Sequence, residues 1–289
     1  MKLVLILGCS LGMMYALVGL GLVLEYRYSK VVNLAHGGQA IAAAYIFNVY
    51  RNGSYVLAFG GALLASTATG LLIEYIAIER MRRSSVFVKT LVTLGFLLVI
   101  LGICQQKWGV QTYGQFIPDL FTSRTVGIFG VRVGVDQMVA IALTLAIAAG
   151  LTLFFKLTSL GIALRAAGDR PVLAQTTGID STNLGRVVWS VGGFLAGLAG
   201  IMLAPTLHLD PIVYVSLIIV AYSAMLVARM ESLALTVVGG LVLGVSQQMV
   251  SYLLPRLAGA QAGVALTVAL VALLYRSNAL EWAEAQEAI

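Results

Sequence analysis

Charge is what this chain has least of. Only 10% of its 289 residues are Asp, Glu, Lys or Arg, against 60% apolar, with a mean hydropathy of +0.96. A soluble domain carries about 25% charged residues to face water. That shortage excludes a soluble enzyme, a disordered chain and a typical nucleic-acid binder. Cysteine is almost absent: Cys9 and Cys104 lie in apolar stretches, without metal-ligand spacing or a disulfide framework, and read as packing residues. The two histidines, His36 and His208, stand far apart. The sequence has no H-E-x-x-H, G-x-S-x-G or C-x-x-C, and no G-x-x-x-x-G-K-[ST] loop to cradle nucleotide phosphates. No catalytic residue, metal site or cofactor is therefore expected in this chain. No strong period of 20–50 residues marks a repeat array.

What is abundant is long apolar runs. The first, 3–24, is longer than the ~7–15-residue core of a signal peptide and no A-x-A site follows it, so it reads as a retained helix. Further runs cover 31–50, 55–78, 86–105, 135–155, 187–207, 212–228, 233–254 and 260–275. A bilayer core of about 30 Å needs roughly 20 helical residues. The expectation is all-α: one transmembrane helix bundle over 1–289 with about eight or nine membrane segments. The segment 31–50 has a polar start, so it is the one expected to be broken or re-entrant. The residues 25–30 read as a polar gap after the first helix. The stretch 107–134, rich in Gly, Thr and aromatics, reads as a long extramembrane loop with short strands.

The net charge of +6 is distributed unevenly. With the first end outside and nine alternating segments, one side holds Arg27, Lys30, Arg80, Arg82, Arg83, Lys89, Lys156, Arg165, Arg170, Arg186, Arg229 and Arg276. The other holds Lys2, Arg51, Lys107, Arg124, Arg132 and Arg256. Cytoplasmic loops collect Lys and Arg, which makes the first side the inner one.

Polar residues within the runs are the candidates for function. Asn33, His36 and Gln39 follow an i, i+3, i+6 spacing that places them on one face of a helix, with Gly37 among them. In hydrocarbon such side chains need partners, so this face looks into the protein, as hydrogen-bonding glue or as the lining of a path. Glu74, about a turn from the basic stretch 79–85, is expected to reach the interface or pair with a nearby arginine. Scarce carboxylates at membrane depth speak against an ion-coupled carrier. Glycines such as Gly192, Gly193, Gly197, Gly200, Gly239, Gly240 and Gly244 read as contact points between helices.

The loop 156–186 combines two short amphipathic pieces. One is 160–167. The other is expected to start at Asp169 and Pro171 and stop at Gly178, lying outside the membrane on the lipid or in a partner.

Three blocks together resemble the membrane permeases of ABC importers for branched-chain and hydrophobic amino acids, a family that also serves urea and amides. They are Tyr15-Ala-Leu-Val-Gly-Leu-Gly21 with Val32-Asn-Leu-Ala-His-Gly37; Leu160-Gly-Ile-Ala-Leu-Arg-Ala-Ala-Gly-Asp169 with Ala174 and Gly178-Ile179-Asp180; and Gly193-Phe-Leu-Ala-Gly-Leu-Ala-Gly200. The sequence departs from the family pattern where Gly38 replaces an acidic residue after the His-Gly pair. It departs again at Val227-Ala-Arg-Met-Glu-Ser232, where a glycine-rich turn is usual. The resemblance implies a permease subunit in a bacterial inner membrane, paired with a second related permease or with itself. It further implies two cytoplasmic ATPases that bind ATP and Mg, and an extracytoplasmic binding protein; the stretch 107–134, the longest on the outer side, is expected either to dock that protein or to cap the bundle. Asn33, His36, Gly37 and Gln39 would line the substrate path. Arg165, Ala166, Asp169, Ala174, Gly178 and Ile179 would couple to the ATPases. An ion-coupled secondary transporter and a non-transporting membrane scaffold are the alternatives.

Overall fold

The computed structural model describes residues 1–109, 117, 120, 124–128, 131–169, 174, 176, 180–230, 232–255 and 263–274. Its helices are α1 (Lys2–Ser29), α2 (His36–Tyr50), α3 (Tyr55–Ile73) and α4 (Val86–Cys104), then α5 (Val135–Leu157), α6 (Ser159–Asp169), α7 (Ser181–Leu207), α8 (Pro211–Val227) and α9 (Leu233–Leu253). A last helix, α10, covers Gly263–Leu274. Wider π-helical turns extend α3 over Glu74–Glu79 and α4 over Gln105–Gly109. One antiparallel hairpin, β1 (Thr125–Ile128) and β2 (Val131–Gly134), pairs Thr125 with Gly134 and leads into α5. It falls in the stretch expected to hold short strands.

Helix starts follow local chemistry. Ser54, Ser85, Asp180, Asp210 and Ser232 each accept a hydrogen bond from a backbone N–H of the first turn, and Pro211 follows Asp210. Asp180 moves one boundary: α7 begins at Ser181, so Arg186 belongs to a helix and not to the preceding loop. The residues 25–30 are likewise no loop. Helix α1 continues through Glu25 to Ser29, and Lys30 ends it with a left-handed backbone, φ 56°.

Among the described residues, six helical stretches are long and apolar enough to cross a membrane: Lys2–Ser29, Tyr55–Glu79, Val86–Trp108, Val135–Leu157, Thr182–Leu207 and Leu233–Leu253. Helices α2, α8 and α10 are shorter. At 15 residues α2 is about 22 Å long. The spans α1 and α7 form the centre, 67% and 78% buried, whereas α4 and α5 are only 17% buried and turn Phe87, Leu98, Leu145 and Leu153 outward. Such an apolar exterior suits lipid.

Glycine lets the central helices touch. Gly8 and Gly12 on α1 meet Gly240 and Gly244 on α9; a Cβ on Gly12 would lie 2.6 Å from the Gly240 carbonyl oxygen. Four-residue spacing puts each pair on one helix face. Between α3 and α7, Ser66 Oγ donates to the Gly193 carbonyl at 2.6 Å. Where α2 crosses α7, a Cβ on Gly200 would run into the Ala40 backbone.

The bundle has two chemically different ends. At one, Arg186 binds Glu79 at 3.0 Å, Arg82 donates to Thr182, and the Arg27 guanidinium lies 5.8 Å from the Phe155 ring centre. At the other, Tyr55 donates to the Leu120 carbonyl at 2.6 Å and Asp136 accepts from the Leu120 N–H at 2.5 Å. The turn after α8 belongs to the first end. There the Met230 N–H reaches the Met225 carbonyl at 2.8 Å and the Arg229 N–H reaches Leu226 at 3.0 Å, a Schellman closure. Arg229 and Met230 take φ of 55° and 60°. This backbone favours glycine, and the sequence supplies none.

Three stability outcomes follow. Gly240→Ala should lower stability by about 2 kcal/mol through overpacking, whereas Gly95→Ala, with open space around it, should raise it by up to about 1 kcal/mol through helix propensity. Arg229→Gly should raise stability by about 1 kcal/mol by relieving the left-handed residue. Thermal unfolding of the purified variants in one detergent measures all three.

Candidate functional site

After Lys30 the chain does not leave the bundle. It runs as irregular backbone through 31–35 and becomes helical again at His36, with Ala35 as the capping position. Backbone that leaves a helix among apolar spans must find hydrogen bonds within the protein. Thr93 on α4 provides two: its Oγ1 accepts from the Leu34 N–H at 3.0 Å and lies 3.2 Å from the Val32 carbonyl oxygen, to which it can donate. Asn33 Oδ1 accepts from the Ala35 N–H at 3.0 Å. Asn33 therefore holds the turn before the helix and does not stand on its face.

The other end of Asn33 makes the central contact. Its Nδ2 donates to Glu25 Oε2 at 2.9 Å, and His36 Nδ1 lies 3.4 Å from the same oxygen. Glu25 and His36 are both wholly buried. One carboxylate oxygen of α1 thus gathers the irregular segment and the first residue of α2. A polar group this deep needs a protein partner, and for the Glu25 carboxylate that partner is the Asn33 amide, with the His36 ring beside it. Glycines make the room. A Cβ on Gly21 would lie 2.7 Å from His36 Cε1, and one on Gly192 of α7 would collide with the Glu25 carboxylate.

The remaining polar atoms are unsatisfied within the protein. Glu25 Oε1, both ring nitrogens of His36 and both amide atoms of Gln39 are buried with no hydrogen-bond partner among the described residues, the 3.4 Å approach of His36 Nδ1 to Glu25 falling short of a hydrogen bond. Buried polar groups normally have partners, so this is a place able to receive donors and acceptors. Of the residues singled out from sequence, Asn33 and His36 come together and Gln39 follows one turn later. Gly37 faces elsewhere: it abuts α8, where a Cβ would lie 2.7 Å from the Tyr214 carbonyl oxygen.

Glu25 is the member that sequence reasoning missed, because it was assigned to a polar gap. The available signal was that it is the only acidic residue before Glu74 and directly follows the apolar run 3–24. Glu74 also differs from expectation. It is 2% exposed, beside Gly185 and Tyr28, and the acid that pairs with an arginine is Glu79. Carboxylates at depth are thus less scarce than the sequence suggested.

At the charged end, Thr158 separates α5 from α6: its Oγ1 accepts from the Gly161 N–H at 3.0 Å, and its backbone is extended. Gly161, Leu164 and Gly168 then bring α6 against α5 and the end of α1, with a Cβ on Gly168 placed 2.6 Å from the Arg27 carbonyl oxygen. Leu160, Ile162 and Ala166 are exposed. Arg165 and Ala166, grouped by sequence, lie on different faces, because Arg165 Nε is buried toward the bundle without a partner. Asp169 is the last residue of α6. Of the second short helix expected there, Ala174 is 3% exposed and Thr176 is exposed. Gly178 and Ile179 lie outside the described residues.

Residues 4–278 match the family model described as the permease component of branched-chain amino acid transport systems. The chain belongs to that family. The permease is 29% identical over 259 residues to a probable branched-chain amino acid transport permease protein, LivH, of Methanocaldococcus jannaschii, covering 82% of this chain and 77% of that one. It is 24% identical over 264 residues to the high-affinity branched-chain amino acid transport permease BraD of Pseudomonas aeruginosa, covering 83% of each. With LivH of Escherichia coli K12 the identity is 24% over 260 residues, covering 84% of each. Among solved structures, PsaBC from Streptococcus pneumoniae in complex with Fab shares the fold, with a TM-score of 0.54 at 16% identity over 93% of this chain and 89% of that one. The permease is a polytopic helical membrane protein of a transport family whose members are not enzymes.

Removing the carboxylate from the permease core should be costly. Glu25→Ala leaves the buried Asn33 amide without its acceptor and His36 without its neighbouring carboxylate, and should cost about 3 kcal/mol. Glu25→Gln keeps an acceptor for Asn33 and should cost about 1 kcal/mol. Equal unfolding temperatures for the two variants in detergent would contradict this geometry.

Proposed function

We propose that this chain is one permease subunit of an ATP-binding-cassette importer that carries small amino acids, branched-chain or hydrophobic, across a bacterial inner membrane. The family match over residues 4–278 carries this reading, and the relatives' names support the substrate class. The sequence has no P-loop, so ATP and Mg belong to two separate ATPase subunits. A second permease, homologous or identical, completes the path, and an extracytoplasmic binding protein delivers substrate at the end that carries the hairpin. The end with Arg27, Arg82 and Arg186 is the cytoplasmic one.

In this scheme Glu25, Asn33, His36 and Gln39 form the polar stretch of the path in the inner half of the membrane. The unpaired atoms of Glu25, His36 and Gln39 supply donors and acceptors for a polar solute. Helix α6 is the coupling element: its buried face grips α1 and α5, and its exposed face, with Ile162 and Ala166, meets the ATPase. Movement of α6 then shifts the end of α1 at Arg27, two residues from Glu25, which links ATPase closure to the polar stretch.

The exposed face allows a clean test. Ala174 is buried, so a charge there would disturb folding as well as docking. Ile162→Asp places an unpaired charge on the outer face of α6 instead. It should reduce co-purification with the ATPases by about tenfold or more, with the chain's own unfolding temperature unchanged. Transport should then be lost in proteoliposomes supplied with ATP inside and no ion gradient. Normal co-purification together with normal transport would refute the coupling role. Transport by the unaltered complex that needs a gradient and not ATP would refute the importer reading.

A further inference from the structure

Helices α5 and α7 both pack on α1, and a groove remains between them. Its floor is Leu24 of α1, its walls are Leu151 and Phe154 of α5 and Val187 and Val191 of α7, and Leu164 of α6 closes one end. The cavity measures about 250 Å³ and every residue lining it is apolar. Val187 is 44% exposed and Leu151, Phe154 and Val191 are half-buried, so the groove opens sideways at the level of the spans. An amino acid zwitterion would find no polar partner in it.

The closed end changes character abruptly. Leu24, Leu164 and Val188 are shared with a second, smaller pocket whose other lining includes Arg27, Tyr28 and Arg165. The Arg27 guanidinium rests over the Phe155 ring at 5.8 Å, and Arg165 Nε is buried with no hydrogen-bond partner. Among the described residues, neither arginine has a carboxylate within ion-pair distance. Two cations thus converge where an apolar groove meets the polar end of the bundle. The arrangement is complementary to a molecule with an anionic head and a hydrocarbon tail. Arginine suits a phosphate, because its planar guanidinium presents paired N–H donors. Basic pockets between transmembrane helices on the cytoplasmic side hold anionic lipid headgroups.

We propose that this groove is a binding site for an anionic phospholipid of the inner leaflet. The phosphate sits between Arg27 and Arg165, and an acyl chain lies between α5 and α7 against Leu24. The site joins the three elements that meet at the coupling end: α1 through Arg27, α6 through Arg165 and Leu164, and α7 through Val187 and Val191. A bound lipid therefore clamps α6 onto the bundle, so the holding of α6 depends on the membrane's anionic lipid content. Arg165, grouped by sequence with the ATPase contacts, is on this geometry a lipid ligand and not a rim contact.

The test uses the importer complex carrying this chain, in nanodiscs of phosphatidylcholine with phosphatidylglycerol added, and reads by native mass spectrometry the lipid retained after mild delipidation. Phosphatidylglycerol should be retained over phosphatidylcholine. Arg165→Gln should weaken that retention by about fivefold, the effect expected of one cation near an anionic headgroup, and Arg27→Gln by a similar factor. Arg165→Lys should restore part of it. Val191→Trp should fill the groove and reduce retention of both lipids, while circular dichroism reports an unchanged helix content. Inorganic phosphate at millimolar concentration should not displace the lipid. Equal retention of the two lipids would overturn the proposal, as would retention indifferent to both arginine changes. So would displacement by phosphate alone, or a groove filled by side chains of the second permease subunit in the assembled complex.

Discussion

A chain that leaves its helix inside hydrocarbon must hydrogen-bond every exposed peptide group to protein, and the structure turns on how 31–35 meets that requirement. Thr93 accepts from Leu34, Asn33 accepts from Ala35, and the Glu25 carboxylate accepts from Asn33 with the His36 ring beside it. Three helices become interdependent through these contacts. Glu25 fits only because α1 runs on past it to Ser29, and the carboxylate has space only because position 192 on α7 is glycine. The short α2 begins at membrane depth because His36 is held there.

Small residues set the geometry around that anchor. With no hydrophobic force to drive helices together in lipid, close backbone approach supplies van der Waals contact. Gly12 against Gly240, Ser66 against Gly193, and Gly200 against Ala40 each bring backbones to distances that a larger residue would forbid. Glycines with open space, such as Gly60, Gly95 and Gly150, sit on the outward helices and carry no such duty. The same residue type therefore has two meanings, distinguished only by what stands opposite.

The charged end combines these features. Helix α6 reaches the backbone of α1 at Arg27 through Gly168 and the backbone of α5 through Gly161, leaving Ile162 and Ala166 outward. The Arg186–Glu79 pair ties α7 to the π-helical turn after α3 and is partly exposed, 43% and 23% for its two side chains. A pair so placed in water contributes little stability, and it orders the helix ends more than it holds them.

Much of this protein was determined by the sequence itself. Sixty per cent apolar composition and long uncharged runs dictate a helical membrane bundle, because only helices satisfy their own backbone in lipid. Serine and aspartate caps mark five of the helix starts, and the polar block at Asn33 and His36 announces a break. The tertiary structure decided which of those residues meet. Glu25 looked like part of a polar gap because an isolated acid after an apolar run gives no sign that its helix continues. Its role depends on His36 and Gly192, and Gly192 lies far away in the chain. Arg165 and Ala166 adjoin in sequence, yet the 100° turn between successive helical residues sends one inward and the other outward. Helical order is local and can be read from periodicity, whereas pairing across helices depends on which faces the packing brings together.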